Sequence, residues 1–227
     1  FTPVETDPDL FPAPFVDANH DDRYNVYDGD YPAIKGDQMV WSAFTDSSAH
    51  SRTYGKSLLV DLQVSAYTYD CLQNPLIDQS LFVEYELINR SENAYSEAYA
   101  GFFADPDLGC YLDDYIGSIP QVDAWYVYNQ NTPDRACQNA RSFGADVPVQ
   151  SVSFLSPSLD QAIYHLNPSL GTFPSGMIDP YTILGYYQNL RGKWIDGMPL
   201  TVGGSGYNQF NLNTTNYFFF GQSRRPA

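Results

Sequence analysis

Short stretches of alternating apolar and polar residues are the main pattern along this chain. Residues 58–69 show it most clearly, with apolar side chains at every second position from Val60 to Ala66. A period of two predicts a strand with one buried face and one face toward solvent. Residues 81–88 repeat the alternation and turn-forming residues follow them, so a hairpin with a returning strand at 95–104 is expected.

Further strands are predicted along the rest of the chain, whereas helical periodicity is weak. The additional strands are expected at 124–128, 149–155, 183–193 and 217–220. Residues 159–166 are the one short helix candidate. Sixteen Gly and sixteen Pro are scattered among 19 Tyr and 14 Phe, a composition typical of strands separated by turns.

The predicted fold class is therefore all-β, a β-sandwich or jelly-roll-like domain with long calcium-binding loops. Residues 1–40 show little alternation and are expected to form an extended N-terminal arm that carries an acidic loop. Residues 41–227 are then expected to form one sandwich domain, since all-β domains of this length are common as single units.

The charge of the chain narrows the classes of partner. Twenty-seven acidic against 11 basic residues give a net charge of −16, which repels phosphate backbones and anionic lipid and argues against nucleic-acid partners. No apolar run approaches the roughly 20 residues needed to cross a bilayer, so direct membrane insertion is not expected. Cations are the natural counterparts, although excess acid also keeps extracellular proteins soluble.

The chain begins Phe1-Thr2-Pro3 without an initiator Met or an export signal, so a processed or excised start is expected. Three cysteines, Cys71, Cys110 and Cys137, are too few for a disulfide scaffold and lack zinc-site spacing. Two alternatives remain open: a Cys110–Cys137 bridge that closes a loop between two strands, or three buried thiols.

The strongest chemical signal is the acidic loop at 17–28. Calcium takes six to eight oxygen ligands, and loops that supply them at positions 1, 3, 5, 7, 9 and 12 wrap the ion. The side chains of Asp17, Asn19, Asp21, Asn25 and Asp28 and the carbonyl of Arg23 occupy these positions. The loop is EF-hand-like without flanking helices, and the alternative is an Asx-rich surface turn with no ion.

A second acidic cluster lies at 105–117, where Asp105, Asp107, Asp113 and Asp114 surround a Leu-Gly pair. It follows a predicted strand, a position at which loops often carry ligands on a rigid support. Three or more of these carboxylates with backbone carbonyls would complete a Ca²⁺ shell. The alternative is that Asp-Pro-Asp forms a turn and Asp114 accepts only a backbone hydrogen bond.

These acidic segments and several others resemble a family of large secreted Bacteroidota proteins that usually end in a type IX secretion sorting domain. The matching segments are Phe-Val-Asp-Ala-Asn at 15–19, then 29–38, Asp-Pro-Asp-Leu-Gly at 105–109, Asp-Asp-Tyr-Ile-Gly at 113–117, Gly-Lys-Trp-Ile-Asp-Gly at 192–197, and 201–207. The resemblance covers nearly the whole chain. It implies export to the outer cell surface or the extracellular space, and says little about activity.

The chain departs from that family pattern at three places. Family members usually have Asp-Gly where this chain has Asp21-Asp22, and an Asp where it has Ser118-Ile119. The second difference weakens any metal ligand beyond Asp114. The chain also stops at Ala227 without a sorting domain, so it is expected to be part of a longer polypeptide.

Catalytic motifs are poorly supported by the sequence. His20, His50 and His165 lie in no triad motif, and the loop at 203–206 lacks the spacing of a nucleophile elbow. Glu84 and Glu86 share one strand face about 7 Å apart, a separation that overlaps that of inverting glycosidases, but inversion needs the two carboxyl groups on opposite sides of the sugar.

The expected function is therefore a non-enzymatic structural or adhesive module of the cell surface that contains Ca²⁺. Its expected partners are other segments of the same surface protein or assembly. A polysaccharide-binding module is the alternative, with glycans stacking on aromatic side chains. The aromatic candidates after the second acidic cluster are Tyr111, Tyr115, Trp125, Tyr126 and Tyr128. A hydrolase domain built on Glu84 and Glu86 is the third possibility.

Overall fold

A computed structural model gives the fold and describes residues 13–48, 50–51, 53–137, 140–167 and 173–219. Antiparallel β-structure predominates in these ranges, with few helices, which agrees with the all-β prediction. The strands are β1 (Phe15–Val16), β2 (Tyr31–Pro32), β3 (Gln38–Thr45), β4 (Val60–Thr68), β5 (Phe82–Asn89), β6 (Asp114–Ile119), β7 (Ala124–Asn129) and β8 (Val149–Ser153). The helices are α1 (Pro75–Asp78) and α2 (Ile183–Leu190), with 3₁₀ turns at Val26–Asp28 and Pro120–Val122.

The chain divides into two compact units, one ending at Ala94 and the other beginning at Tyr95. The first unit holds the two-stranded sheet β1-β2 and the three-stranded sheet β3-β4-β5. The second unit holds the three-stranded sheet β6-β7-β8. The predicted division into an arm at 1–40 and a domain at 41–227 stays a prediction.

The three-stranded sheet of the first unit confirms the predicted strands at 58–69 and 81–88, but not the predicted burial. Val40 pairs across with Ala66, which in turn pairs with Val83, so apolar side chains line one face. That face is open, with Val40 70% exposed, whereas Ser65 on the opposite face is buried. Periodicity identifies the two faces of a strand, but the covering layer decides which face is buried.

The predicted return strand at 95–104 is wrong, since these residues contain no strand. The partner of β5 is β4, which precedes it in the chain. After β5, the Asn89 Oδ1 atom accepts hydrogen bonds from the Ser91 amide at 3.0 Å and the Ser91 hydroxyl at 2.8 Å. The turn-forming side chains therefore end the strand by local bonding and do not begin a hairpin.

Two further predictions in the second unit are wrong, and a third is not met in its described residues. Residues 183–190 form α2, because the Thr182 side chain caps the helix by accepting the Gly185 amide at 3.0 Å. The predicted helix at 159–166 is irregular and contributes only isolated bridges, among them Ala162 with Tyr217. That bridge is all the β-structure found in the described part of 217–220, and Phe220 lies outside the described residues. The strands at 124–128 and 149–155 are confirmed as β7 and β8.

The buried core of the second unit lies among its irregular segments. It is formed by Tyr164, Leu166, Met177, Trp194, Leu200 and Phe218. The Trp194 indole donates to the Gly206 carbonyl at 3.1 Å, and the Tyr164 hydroxyl donates to the Ser205 carbonyl at 2.7 Å. The glycine-rich loop is thus held by polar atoms of core aromatics. In the described ranges, no helix is long and apolar enough to cross a membrane.

Candidate metal centre

The first acidic loop is closed at its base by the small sheet of the first unit. Val16 of β1 pairs with Tyr31 of β2, and the Ala33 amide donates to the Pro14 carbonyl at 2.9 Å. These contacts bring the two ends of the segment together. Residues 17–30 therefore project as one closed loop, on a support that the sequence pattern did not predict.

Asp17 organises the first half of this loop. Its Oδ1 atom accepts the His20 amide at 2.7 Å, and its Oδ2 atom accepts the Asp22 amide at 2.8 Å. Partial desolvation raises the pKa of Asp17, but the backbone N–H groups of Asp22, His20 and Asp21 together outweigh it and lower the pKa below its usual value. Asp17 is thus held as a carboxylate, the form that binds a cation.

The next two predicted ligands fold onto the same turn. Asn19 Oδ1 accepts the Asp21 amide at 3.1 Å, and Asp21 Oδ1 accepts the Arg23 amide at 2.9 Å. The Asn19 amide also donates to Asp21 Oδ2 at 3.1 Å. Asp17, Asn19 and Asp21 are therefore brought together. Arg23, whose carbonyl is the predicted ligand, is exposed, and its role as a ligand stays a prediction.

The residue at loop position 6 adopts the backbone conformation for which glycine is favoured. Asp22 has a φ of +62°, in the left-handed region that costs a non-glycine residue free energy. EF-hand loops place glycine at this position to make the sharp turn. Asp22 therefore makes that turn with strain, and aspartate is among the few residues that tolerate it.

The last two predicted ligands, Asn25 and Asp28, belong to a separate turn. The Asn25 Oδ1 atom accepts the Tyr27 amide at 3.1 Å, and the Asn25 amide donates to Asp28 Oδ2 at 2.6 Å. These contacts cap the 3₁₀ turn at Val26–Asp28. Both side chains are engaged with each other and not with the turn of Asp17.

Asp30 joins the two halves of the loop and was missed by the sequence analysis. Asp30 as a whole residue is only 2% exposed. The Oδ1 atom accepts the Ala18 amide at 2.9 Å and the Oδ2 atom accepts the Asn25 amide at 2.8 Å. The sequence signal was an aspartate between a turn glycine, Gly29, and a β-prone tyrosine, a position suited to a side chain that accepts backbone N–H groups.

The second acidic cluster lies in the other unit and is divided between an exposed and a buried part. Asp105 and Asp107 are exposed, Asp113 is half-buried, and Asp114 is buried at the start of β6. The Asp114 Oδ2 atom accepts the Leu108 amide at 2.9 Å. That bond ties β6 to the Asp-Pro-Asp segment, as the alternative interpretation of Asp114 expected.

Burial and like charges strongly perturb Asp114. Desolvation raises the pKa of Asp114 to about 6, and the charges of Asp113, Asp107 and Asp134 act in the same direction against the hydrogen bond from Leu108. Desolvation and the Asp105 charge also raise the pKa of Asp107. Asp114 thus lies close enough to three other carboxyl groups to be repelled by them.

Asp134 was also missed by the sequence analysis, because it lies 20 residues beyond Asp114 in an irregular segment. A disulfide between Cys110 and Cys137, with Cα atoms 5.3 Å apart, connects that segment to the acidic cluster. This confirms the predicted bridge over the alternative of three buried thiols. Cys71 remains a half-buried free thiol.

The candidate ligands do not form a ready-made metal shell as the side chains stand. Within the described ranges, no group of three or more His, Cys, Asp or Glu side chains is placed to hold a metal ion. The first loop brings together two carboxylates, those of Asp17 and Asp21, and the amide oxygen of Asn19. Calcium accepts both of these oxygen types.

The residues considered for other functions have structural partners. Glu84 forms an ion pair with Lys35 at 2.5 Å, and it lies beside Glu86 on an exposed face of β5. The aromatic residues considered for sugar stacking, Tyr111, Tyr115, Trp125, Tyr126 and Tyr128, are all half-buried. Trp125 packs against the core of its unit, and Tyr115 meets Tyr128 edge to face at 5.8 Å.

No protein-family model matches the chain, and no curated protein or solved structure matches it either. The resemblance to secreted Bacteroidota proteins therefore stays a prediction.

Proposed function

We propose that this chain is a calcium-binding structural or adhesive module of an exported cell-surface protein, in which a cation fixes the loop at 17–28. One observation carries the proposal: a single turn holds Asp17, Asn19 and Asp21 together by their own backbone hydrogen bonds. The three side chains are held in register before any ion binds, which lowers the entropy cost of binding.

The chemistry of these groups favours calcium over other cations. A carboxylate has about four lone-pair sites, so Asp17 and Asp21 can accept backbone N–H groups and still offer oxygen to a cation. No sulfur or imidazole ligand stands at a designated position of the loop, as a zinc site would need. Magnesium demands a tight, near-ideal octahedral shell, whereas the mixed carboxylate and amide oxygens of this loop suit the larger and less regular shell of calcium.

Two further features support export to the cell surface. A disulfide joins Cys110 to Cys137, and disulfides persist in oxidising compartments. Because the chain carries a net charge of −16, it attracts cations such as calcium as counter-ions. Packing of the sheets as a β-sandwich or jelly roll, and association with other segments of the same surface protein, belong to this proposal as well.

Calcium titration of the whole chain tests the proposal. The Asp17→Asn variant keeps the shape of the side chain but removes its charge, so the affinity of the first loop for calcium should fall by about tenfold or more. Asp70→Asn is the matched control, because Asp70 is an exposed aspartate in the same unit outside the loop. Equal calcium binding by wild type and Asp17→Asn would exclude this loop as the site.

A further inference from the structure

Three carboxylate oxygens of the second unit are buried without a hydrogen-bond partner. They are Oδ1 of Asp113, Oδ1 of Asp114 and Oδ1 of Asp134. Asp114 is only 9% exposed and Asp134 only 3%. Among the described residues, none of the three forms an ion pair with Lys, Arg or His. Burying unpaired carboxylates costs several kcal/mol per ion, so this arrangement calls for a compensating positive charge or proton.

The backbone around Asp134 places its carboxyl group against the acidic cluster. The Asp134 amide donates to the Gly144 carbonyl at 2.8 Å, and Asp134 Oδ2 accepts the Phe143 amide at 2.7 Å. Gly109 has a φ of +73°, and a Cβ atom there would overlap the Asp134 carboxylate. Glycine at position 109 thus permits close approach of Asp134 to the segment that carries Asp107.

Two links tie the acidic segment to later parts of the chain: Asp114 pairs with Asn129 across β6 and β7, and the Cys110–Cys137 disulfide joins the segments that carry Asp107 and Asp134. Within the acidic segment, the Leu108 amide donates to Asp114. Asn129 is itself buried, and its Nδ2 atom has no partner. Among the described residues, no three carboxylate side chains are placed to hold an ion as they stand, so gathering these carboxylates into one shell requires side-chain rotation, for which the exposed Asp107 has room.

We propose that Asp134 completes a second divalent-cation site, with Asp107, Asp113 and Asp114 as its other carboxylate ligands. Once the side chains rotate, the unpartnered oxygens of Asp113, Asp114 and Asp134 would face the ion, and carboxylate oxygens are the hard ligands that calcium takes. The inference rests on the proposed calcium-dependent function. Asp134 is a ligand from outside both acidic loops. The ion and the disulfide would then hold the segments of Asp107 and Asp134 together.

Isothermal titration of the full chain with calcium tests this inference. Wild type should bind two ions, one of them through the loop of Asp17. Asp134→Asn and Asp113→Asn should each lose the second ion, or bind it about tenfold or more weakly, because calcium affinity follows the charge count of the ligands. Asp146→Asn, which alters an exposed aspartate in the same unit, should bind as wild type does.

The melting temperature separates a ligand from a residue that only supports the fold. Loss of a ligand should reduce the rise in melting temperature that calcium produces, whereas a purely structural residue would lower the melting temperature equally with and without calcium. If Asp134→Asn fails to fold, the half-buried Asp113 supplies the deciding variant.

The outcomes distinguish this inference from the proposed function. No calcium binding by wild type would contradict both. A single ion that is lost in Asp17→Asn, or unchanged second-site binding in both Asp134→Asn and Asp113→Asn, would overturn the second site alone.

Discussion

Aspartate side chains perform several distinct tasks in this chain, although the sequence presents them as two similar clusters. Asp17 orders a turn through backbone N–H groups, Asp30 joins two halves of a loop from a buried position, and Asp134 approaches a second cluster from a distant segment. The regular spacing of 17, 19 and 21 was visible in the sequence. Asp30 and Asp134 act through tertiary contacts, which spacing does not encode.

The two hydrogen bonds that Asp30 accepts from the loop backbone can be tested directly. Replacing Asp30 by Ala removes the acceptors of the Ala18 and Asn25 amides and should destabilise the loop by about 1–3 kcal/mol, the cost of unsatisfied donors. Amide hydrogen exchange at Ala18 and Asn25 should accelerate accordingly. Asp28→Ala, at an exposed position, is the control and should leave the exchange of Ala18 unchanged. Slow exchange at both amides in Asp30→Ala would contradict the role of Asp30 in joining the two halves of the loop.

The raised pKa of Asp114 predicts a pH dependence in calcium-free protein. Its folded-state pKa of about 6 exceeds the ordinary value of 3.8, so the folded state binds more protons between these values. The contribution of Asp114 to stability should therefore be most favourable below about pH 4 and become less favourable as the pH rises toward 6, by on the order of 2–3 kcal/mol. Asp114→Asn should flatten this part of the stability curve in chemical denaturation. A wild-type curve that rises over the same interval more steeply than the variant's would contradict the assignment.

Strands in which apolar and polar residues alternate strictly were predictable from the sequence. Helix α2, whose start depends on a capping side chain, was not. β4 and β5 have clear alternation and were found where the sequence indicated; β7, a continuous run of apolar and aromatic residues, was also found at its predicted position. The segment at 183–193 is rich in Tyr, Ile and Leu, which suggested a strand, yet a polar cap at Thr182 starts a helix there. A capping side chain outweighs weak residue preferences, because it satisfies a backbone donor that would otherwise remain unpaired.

The start of α2 can be tested by changing that cap. Thr182→Ala removes the acceptor of the Gly185 amide and should cost about 0.5–2 kcal/mol of stability. Thr182→Ser retains a hydroxyl and should stay close to wild type. Urea denaturation followed by far-ultraviolet circular dichroism measures the difference, and equal midpoints for Ala and Ser would show that the cap does not stabilise α2.

Across the chain, each of the two compact units contains one acidic cluster, and the two clusters differ in character. The cluster of the first unit is a solvent-facing loop organised by its own hydrogen bonds, while that of the second is partly buried and tied by a disulfide. The sequence anticipated both locations. It did not indicate that the second cluster would lie partly in a strand, since Asp114 enters β6 only through its pairing with Asn129.

Thermal melting with and without calcium tests the proposed role of the ion most directly. An ion that binds only the folded state stabilises it by about 2.7 kcal/mol at a hundredfold excess over Kd. Adding a chelator should therefore lower the melting temperature of the wild-type chain clearly, and excess calcium, but not magnesium, should restore it. A melting temperature that is the same in chelator and in calcium would contradict the proposal that calcium holds these acidic segments.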